Sequence, residues 1–185
     1  TPRRVLDAAL APEQSGILSP PDSITRCVHE WLQDRTRGRK AVSITLRDYA
    51  YMPARNSNYD AWVSFAKSLD PEQFFPIIVR DTDEMDSNTA SDILTGLVDC
   101  PPASLDAAFR AALYEQCYLN LSVNTGPAGL CWLNHKTRYL TFKMQARNVP
   151  QTEPIAFLKR GFSIGKSLPF ATPFQKWIWE DDDEA

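Results

Sequence analysis

Histidine and cysteine are scarce in this chain of 185 residues, which has two histidines and four cysteines. The sequence contains no Cys-x-x-Cys pair, no metal-ligand spacing and no supported Ser-His-Asp or Cys-His arrangement. His29 stands beside Trp31 in a helical stretch and His135 near a helix end, so structural roles are favoured for both. The cysteines are interpreted as reduced thiols in or near the core of a cytoplasmic protein, and they are Cys27, Cys100, Cys117 and Cys131.

Glycine-rich phosphate motifs, long apolar runs and an excess of basic charge are also missing. The seven glycines form neither a Gly-x-Gly-x-x-Gly fingerprint nor a Walker lysine motif, which argues against a familiar dinucleotide or P-loop site. No apolar run approaches the length of a membrane span. The chain has 20 Lys and Arg against 23 Asp and Glu, and its net charge of −3 argues against nucleic-acid binding through a basic surface. We therefore expect no membrane span and no nucleic-acid partner.

Short apolar runs alternate with amphipathic stretches along most of the chain. The predicted strands are 41–46, 74–79, 96–99, 118–123 and 138–142. The first predicted helix begins at Asp22 or Ser23. Further helices are predicted at 59–69, 91–94, 104–116, 128–134 and 153–159. Residues 176–180 are predicted to form an edge strand or a final helix. Because helices separate strands that are continuous apolar runs, the pattern predicts an α/β fold. It is a three-layer, Rossmann-like domain with a mainly parallel sheet.

Composition also suggests where the domain begins and ends. Residues 1–21 mix Pro, Ala and polar residues and are predicted to form an arm or linker, whereas 22–180 form the Rossmann-like domain and 181–185 an acidic tail. The aromatic-rich stretch 169–180 is expected to have a packing role, with Thr172 and Gln175 reaching the cleft as the alternative.

The turn at 124–127 is a candidate anion site, because a strand-forming run ends there in Asn-Thr-Gly-Pro just before a predicted helix. The first N–H groups of a helix have no intrahelical partners, and the dipole adds partial positive charge. Pro127 suits the first helical position, and Gly126 lets a ligand approach the backbone closely. The alternative is an ordinary strand-to-helix turn.

A second polar loop, residues 47–58, directly follows the first strand and carries Arg47 and Arg55. Guanidinium groups match phosphate oxygens in a bidentate manner, and Arg47 stands at the strand tip. Asn56 and Ser57 can donate to phosphate, whereas Asn58 is equally suited to cap the next helix. Ligands of parallel sheets bind at the carboxyl ends of strands, so we expect this loop and the 124–127 turn to share one rim.

An acidic loop with Asp81 and Asp83 follows the second strand. Those carboxylates could hold a metal or ribose hydroxyls, but a solvated loop is the preferred interpretation. Arginines and helix N–H groups can neutralise a diphosphate without a divalent ion. We therefore expect no metal and no cofactor at the site.

The order of strand, arginine loop and helix, then strand, Asn-Thr-Gly-Pro turn and helix, resembles the C-terminal, donor-binding domain of GT-B glycosyltransferases. Residues 123–127 resemble the Asp-(Thr/Ser)-Gly-Pro turn of bacterial lipopolysaccharide heptosyltransferases, and 45–47 resemble the strand-end arginine of fucosyltransferases that use a guanosine-diphosphate sugar. The resemblance covers roughly residues 42–142. Heptosyltransferases usually have His two residues after the Pro, where this chain has Gly129, and an acidic residue where it has Asn124, so the donor stays open.

The resemblance implies that Arg47 clamps a phosphate, that Thr125 and the backbone of Gly126 lie at the diphosphate, and that Glu115 contacts ribose or base. It implies a donor-binding domain for metal-independent transfer from a nucleotide-diphosphate sugar to an unknown acceptor. An N-terminal acceptor domain, on this or another chain, is the expected partner, and the catalytic residues are not identified. The alternatives are a sugar-nucleotide epimerase or hydrolase and a non-enzymatic nucleotide-sugar-binding module. The residues assigned to substrate binding are Arg47, Arg55, Asn56, Ser57, Glu115, Asn124, Thr125, Gly126 and Pro127.

Overall fold

Six parallel strands form one sheet in the computed structural model, which describes residues 18–82, 94–146 and 149–179. The order across the sheet is β3-β2-β1-β4-β5-β6, and every neighbouring pair is parallel. The strands are β1 (Lys40–Thr45), β2 (Phe74–Val79), β3 (Val98–Asp99), β4 (Leu119–Val123), β5 (Tyr139–Phe142) and β6 (Gln175–Trp177). This confirms the predicted α/β, Rossmann-like domain, and the strand order changes direction between β1 and β4.

Helices cover both faces of this sheet. They are α1 (Asp22–Thr36), α2 (Tyr59–Ser68), α3 (Pro101–Leu105), α4 (Ala107–Gln116), α5 (Gly129–Trp132) and α6 (Pro154–Lys159), with 3₁₀ turns at Pro53–Arg55, Gly126–Ala128 and Pro150–Thr152. None of these helices, in the part of the chain that the structure describes, is long and apolar enough to cross a membrane. Residues 91–93 of the helix predicted at 91–94 lie outside the described residues, as do Asp83 and the acidic tail, and residue 94 is in a turn.

Alternate residues of the central strands point to two separate cores. On one face, α1 and α4 pack over Ala41, Ile77 and Val79. On the other face, α2 buries Trp62 and Val63 against the β-branched and leucine side chains of β1, β2 and β4. Both faces are buried, which is why the strands were recognisable as mostly apolar runs with few charged residues.

Two helices differ from the sequence prediction. The run 104–116 is divided between α3 and α4 at Asp106, whose carboxylate accepts from the N–H groups of Ala108 and Phe109 at 2.7 and 3.1 Å. This is an N-cap, which begins a new helix rather than continuing an old one. The helix expected at 128–134 is one turn, Gly129–Trp132, that follows the 3₁₀ turn Gly126–Ala128.

A third, aromatic core covers the β5–β6 edge of the sheet. It contains the tryptophan rings of Trp132, Trp177 and Trp179 together with Phe157 and Phe162. The packing role expected for 169–180 is therefore confirmed, and 175–177 is an edge strand. Of the two residues considered for the cleft, Gln175 is buried and donates to the carbonyls of 134 and 137, so it faces the amino ends of the strands.

Candidate functional site

Arg47 lies two residues after the end of β1 and holds together the loop 47–58. Its guanidinium donates to the carbonyl oxygens of Tyr51 and Met52, at 2.8 and 3.2 Å, and to the side-chain oxygen of Asn56. The residue is 6% exposed. Burial lowers the pKa of the Arg47 guanidinium, against the raising effect of Asp81. Arg47 is thus at the strand tip, as expected, but its side chain turns into its own loop.

Hydrogen bonds at the base of the loop close it. The Arg47 N–H donates to the Ser57 hydroxyl, and the Ser57 N–H donates back to the Arg47 carbonyl, both at 2.9 Å. The Asn56 side-chain amide donates to Asp48 at 3.0 Å and to the Tyr49 carbonyl at 3.2 Å. Asn56 and Ser57 therefore organise the loop, and Asn58 caps α2 by accepting from the Ala61 N–H at 3.1 Å.

Two cations connect this loop to the ends of β4 and β5. Arg55 donates to the backbone carbonyl of Asn124 at 2.7 Å. Lys143, which follows β5, donates to the backbone carbonyl of Asn56 at 3.2 Å. These contacts bring the 47–58 loop and the 124–127 turn to one rim, at the carboxyl ends of the strands where the strand order changes direction.

Hydrogen bonds to the end of β5 and the residues after it fix the 124–127 turn, which follows β4. Asn124 donates through its backbone N–H to the Phe142 carbonyl and through its side chain to the Met144 carbonyl, both at 3.0 Å. Thr125 is buried and Gly126 exposed, and Gly126 opens the 3₁₀ turn, where its N–H has no intrahelical acceptor. Because the α-helix beyond it has four residues, backbone N–H groups rather than a long helix dipole provide the positive character here.

The rim is rich in positive charge. Burial is the main cause that lowers the pKa of Arg55, and the neighbouring charges of Arg47 and Arg160 lower it further. An anion bound beside these guanidinium groups would relieve their mutual repulsion. Arg160 and Lys143 were not identified from the sequence, because each stands far along the chain from the loop that it approaches.

Glu115 is the one assigned residue that the structure does not bring to this rim. It precedes β4 at the end of α4, on the amino side of the strands, and accepts from Asn134 at 2.8 Å and Lys136 at 2.9 Å. Burial alone would raise the pKa of the Glu115 carboxyl, but these two hydrogen bonds hold it below its ordinary value. Both histidines also lie on that side, where His29 is hydrogen-bonded to Gln116 at 3.2 Å.

The described part of the loop after β2 shows no metal-site geometry. Arg80, directly after β2, donates from Nε and Nη2 to one carboxylate oxygen of Asp99, at 3.0 and 2.7 Å. Asp81 is half-buried beside the rim and accepts from the Thr82 N–H at 2.8 Å. Among the described residues, no group of three or more His, Cys, Asp or Glu side chains is arranged to hold a metal ion.

Two solved structures share this fold. The glycosyl transferase family 9 protein from Veillonella parvula DSM 2008 has a TM-score of 0.57 and 9% identity, with 71% of this chain and 38% of that chain covered. The E. coli ADP-heptose lps heptosyltransferase II has a TM-score of 0.59 and 10% identity, with 87% of this chain and 44% of that chain covered. The sequence matches no protein-family model and no curated protein.

The domain therefore has the fold of a Rossmann-like half of a GT-B glycosyltransferase, as the resemblance to heptosyltransferases predicted. At this level of identity the likeness concerns the fold, and fold alone does not determine a reaction. The chain spans less than half the length of either structure.

Proposed function

We propose that this chain is the donor-binding domain of a glycosyltransferase and binds a nucleotide-diphosphate sugar for metal-independent transfer. The diphosphate would lie between the 47–58 loop and the 124–127 turn. Arg55 and the backbone N–H groups at Gly126 would face its oxygens, and Thr125 would lie beside them. Arg47, Asn56 and Ser57 would act by holding the loop in place.

The observation that carries this proposal is the hydrogen bond from Arg55 to the Asn124 carbonyl, at 2.7 Å. It joins the two loops that follow β1 and β4, where the strand order of the sheet changes direction. In open α/β sheets this is where ligands bind. Fixed positive groups at such a place stabilise the charge on a departing diphosphate, because they need no rearrangement during the reaction.

A binding role rather than a complete catalytic centre fits the side chains at the rim. Within the described residues, both histidines lie at the other end of the sheet, so neither can serve as a base beside a donor held here. A histidine base would have to come from elsewhere, such as the acceptor domain expected from the resemblance. This supports a donor-binding half over a self-contained epimerase or hydrolase.

Thermal unfolding with a panel of nucleoside diphosphates and the matching nucleosides tests the proposal. A diphosphate at about 100 times its dissociation constant should add roughly 2.7 kcal/mol of stability, because it binds only the folded state. The matching nucleosides should add much less, since they lack the charged group. Equal shifts from nucleoside and diphosphate, or none from either, would refute the assignment.

A further inference from the structure

A cavity of about 210 Å³ adjoins the rim between the 47–58 loop, α6 and the β5–β6 edge. Its volume is far above the roughly 30 Å³ that one water molecule occupies. Its wall is partly aromatic and partly polar, and the residues used below are Arg55, Asn124, Phe157, Arg160, Phe162 and Trp177.

One of the two tryptophans in this wall has an unused hydrogen-bond donor. Trp177 is 6% exposed, and its indole Nε1–H has no partner among the described residues. In the same aromatic cluster, Trp132 donates to the Thr141 hydroxyl and Trp179 to the Lys166 carbonyl, each at 3.0 Å. The ring of Trp177 packs edgewise against Phe157 and Phe162, which also line the cavity.

A second unused donor belongs to another residue of the same wall. The Nε–H of Arg55 is buried and has no partner among the described residues, although the Nη2 atom of the same guanidinium donates to Asn124. Buried donors are normally satisfied, and two unpaired donors in residues that line one cavity point to an acceptor that belongs there.

The charge of the wall decides the kind of acceptor. Arg55 and Arg160 contribute two guanidinium groups, and the described residues that line the cavity include no carboxylate. A neutral acceptor would satisfy the donors but leave two like charges side by side. A carboxylate or phosphate oxygen satisfies the donors and neutralises the charge.

We propose that this cavity is an oxyanion site, in which Arg55, Arg160 and the indole N–H of Trp177 hold a carboxylate or phosphate group of a small ligand. The inference goes beyond the proposed function, because it assigns a second anionic group to the cavity beside Arg160 and Trp177, which adjoins the proposed diphosphate position through Arg55. It is testable with simple anions that carry no nucleoside.

The test is a ¹⁵N-edited NMR titration that follows the tryptophan indole N–H resonances. Inorganic phosphate and acetate are added separately, with chloride at equal ionic strength as the reference. The resonance of Trp177, identified by its loss in Trp177→Phe, should move downfield with phosphate, acetate or both. The anion that moves it most identifies the ligand group.

Two variants complete the experiment. Arg160→Gln should weaken the anion response about tenfold, whereas Arg26→Gln, which removes an exposed arginine on α1, should leave it unchanged. A Trp177 resonance that moves no more with either anion than with chloride overturns the proposal and indicates a cavity filled by water. Equal weakening in both variants also overturns it. Because each variant is also titrated with a nucleoside diphosphate, failure here is distinguishable from failure of the proposed function.

Discussion

The guanidinium of Arg55 donates to the backbone carbonyl of Asn124 across 2.7 Å, although the two residues are 69 positions apart in the chain. This bond is a fixed link between the loop after β1 and the turn after β4. The ligand-binding geometry proposed for the rim therefore depends on a side chain that is itself one of the proposed phosphate donors. Changes at Arg55 should affect stability and binding together.

Arg55→Ala should lower the free energy of unfolding by about 1–2 kcal/mol and weaken diphosphate binding about tenfold or more. The first effect follows from loss of a charge-assisted hydrogen bond, and the second from loss of the donor and its charge. Urea unfolding and calorimetric titration measure them. The matched control is Arg26→Ala, at an exposed position of α1, which should change neither. Unchanged diphosphate affinity in Arg55→Ala would remove Arg55 from the proposed site.

Arg47→Ala should be the more destabilising variant, by about 2–3 kcal/mol, because it leaves the Tyr51 and Met52 carbonyls and the Asn56 side chain without their donor. Diphosphate affinity should fall with it, since the loop loses its shape. Arg47→Lys should recover only part of the lost stability and part of the lost diphosphate affinity, because an ammonium group lacks the planar fork of a guanidinium. If affinity fell while stability stayed constant, Arg47 would be a direct phosphate clamp, as the resemblance implies.

The sheet was predictable because its strands are buried on both faces. Residues 74–79 form an uninterrupted apolar run, and 41–46 are mostly apolar with the small hydroxyl residues Ser43 and Thr45, so no helical periodicity obscures them. The break at Asp106 was missed because the alanines around it favour a continuous helix, whereas the aspartate side chain caps the start of a new helix there. Local propensity does not show which of these two effects prevails.

The site was predictable only as two loops. Both loops follow parallel strands, so they lie at one edge of the sheet. This shared position was predicted correctly from the sequence. The direction of the Arg47 side chain was not predictable, because its acceptors are backbone carbonyls that any residue provides. The approach of Arg160 and Trp177 to Arg55 depends on chain paths more than 100 residues long, which no spacing rule describes.

Thiol reactivity should separate the four cysteines. Cys27 is exposed, which corrects its interpretation as a core or near-core residue, whereas Cys100, Cys117 and Cys131 are buried. Burial raises the pKa of the Cys117 thiol to about 12, so it stays protonated and unreactive while folded. A colorimetric thiol reagent should therefore modify one cysteine rapidly in native protein and four in denaturant. Cys27→Ser should abolish the rapid phase, and a rapid phase that persisted would contradict the burial of the others.

Acid should weaken the fold partly through Glu115. Its folded pKa is lower than its unfolded value of about 4.3, so its contribution is present above that pH and is lost as pH falls through the folded pKa. The effect should stay below about 1 kcal/mol, because Lys136 is largely exposed. Urea midpoints measured between pH 7 and pH 3 should fall less steeply for Glu115→Gln than for the wild type. Parallel curves would show that the ion pair contributes nothing.

Diphosphate binding should persist in EDTA. Arg55, Arg47 and the backbone N–H groups at Gly126 already provide positive character at the rim, so a divalent ion is not needed to neutralise the phosphates. Asp81 lies beside Arg47, whose positive charge it helps to balance. Asp81→Ala should therefore leave diphosphate affinity nearly unchanged or increase it slightly, because a negative charge is removed.

The competing arrangement is a magnesium or manganese ion held by carboxylates and bridging the phosphates. That arrangement predicts the opposite signs. Affinity measured by calorimetry would collapse in EDTA, return on addition of manganese, and fall sharply in Asp81→Ala. That pattern would refute the metal-independent proposal. If the arginines and backbone N–H groups are sufficient to hold the diphosphate, removal of a metal ion does not release it. The Asp81→Ala result is read together with EDTA: a loss of affinity that EDTA does not reproduce would instead indicate a hydrogen bond from a ribose hydroxyl to this carboxylate.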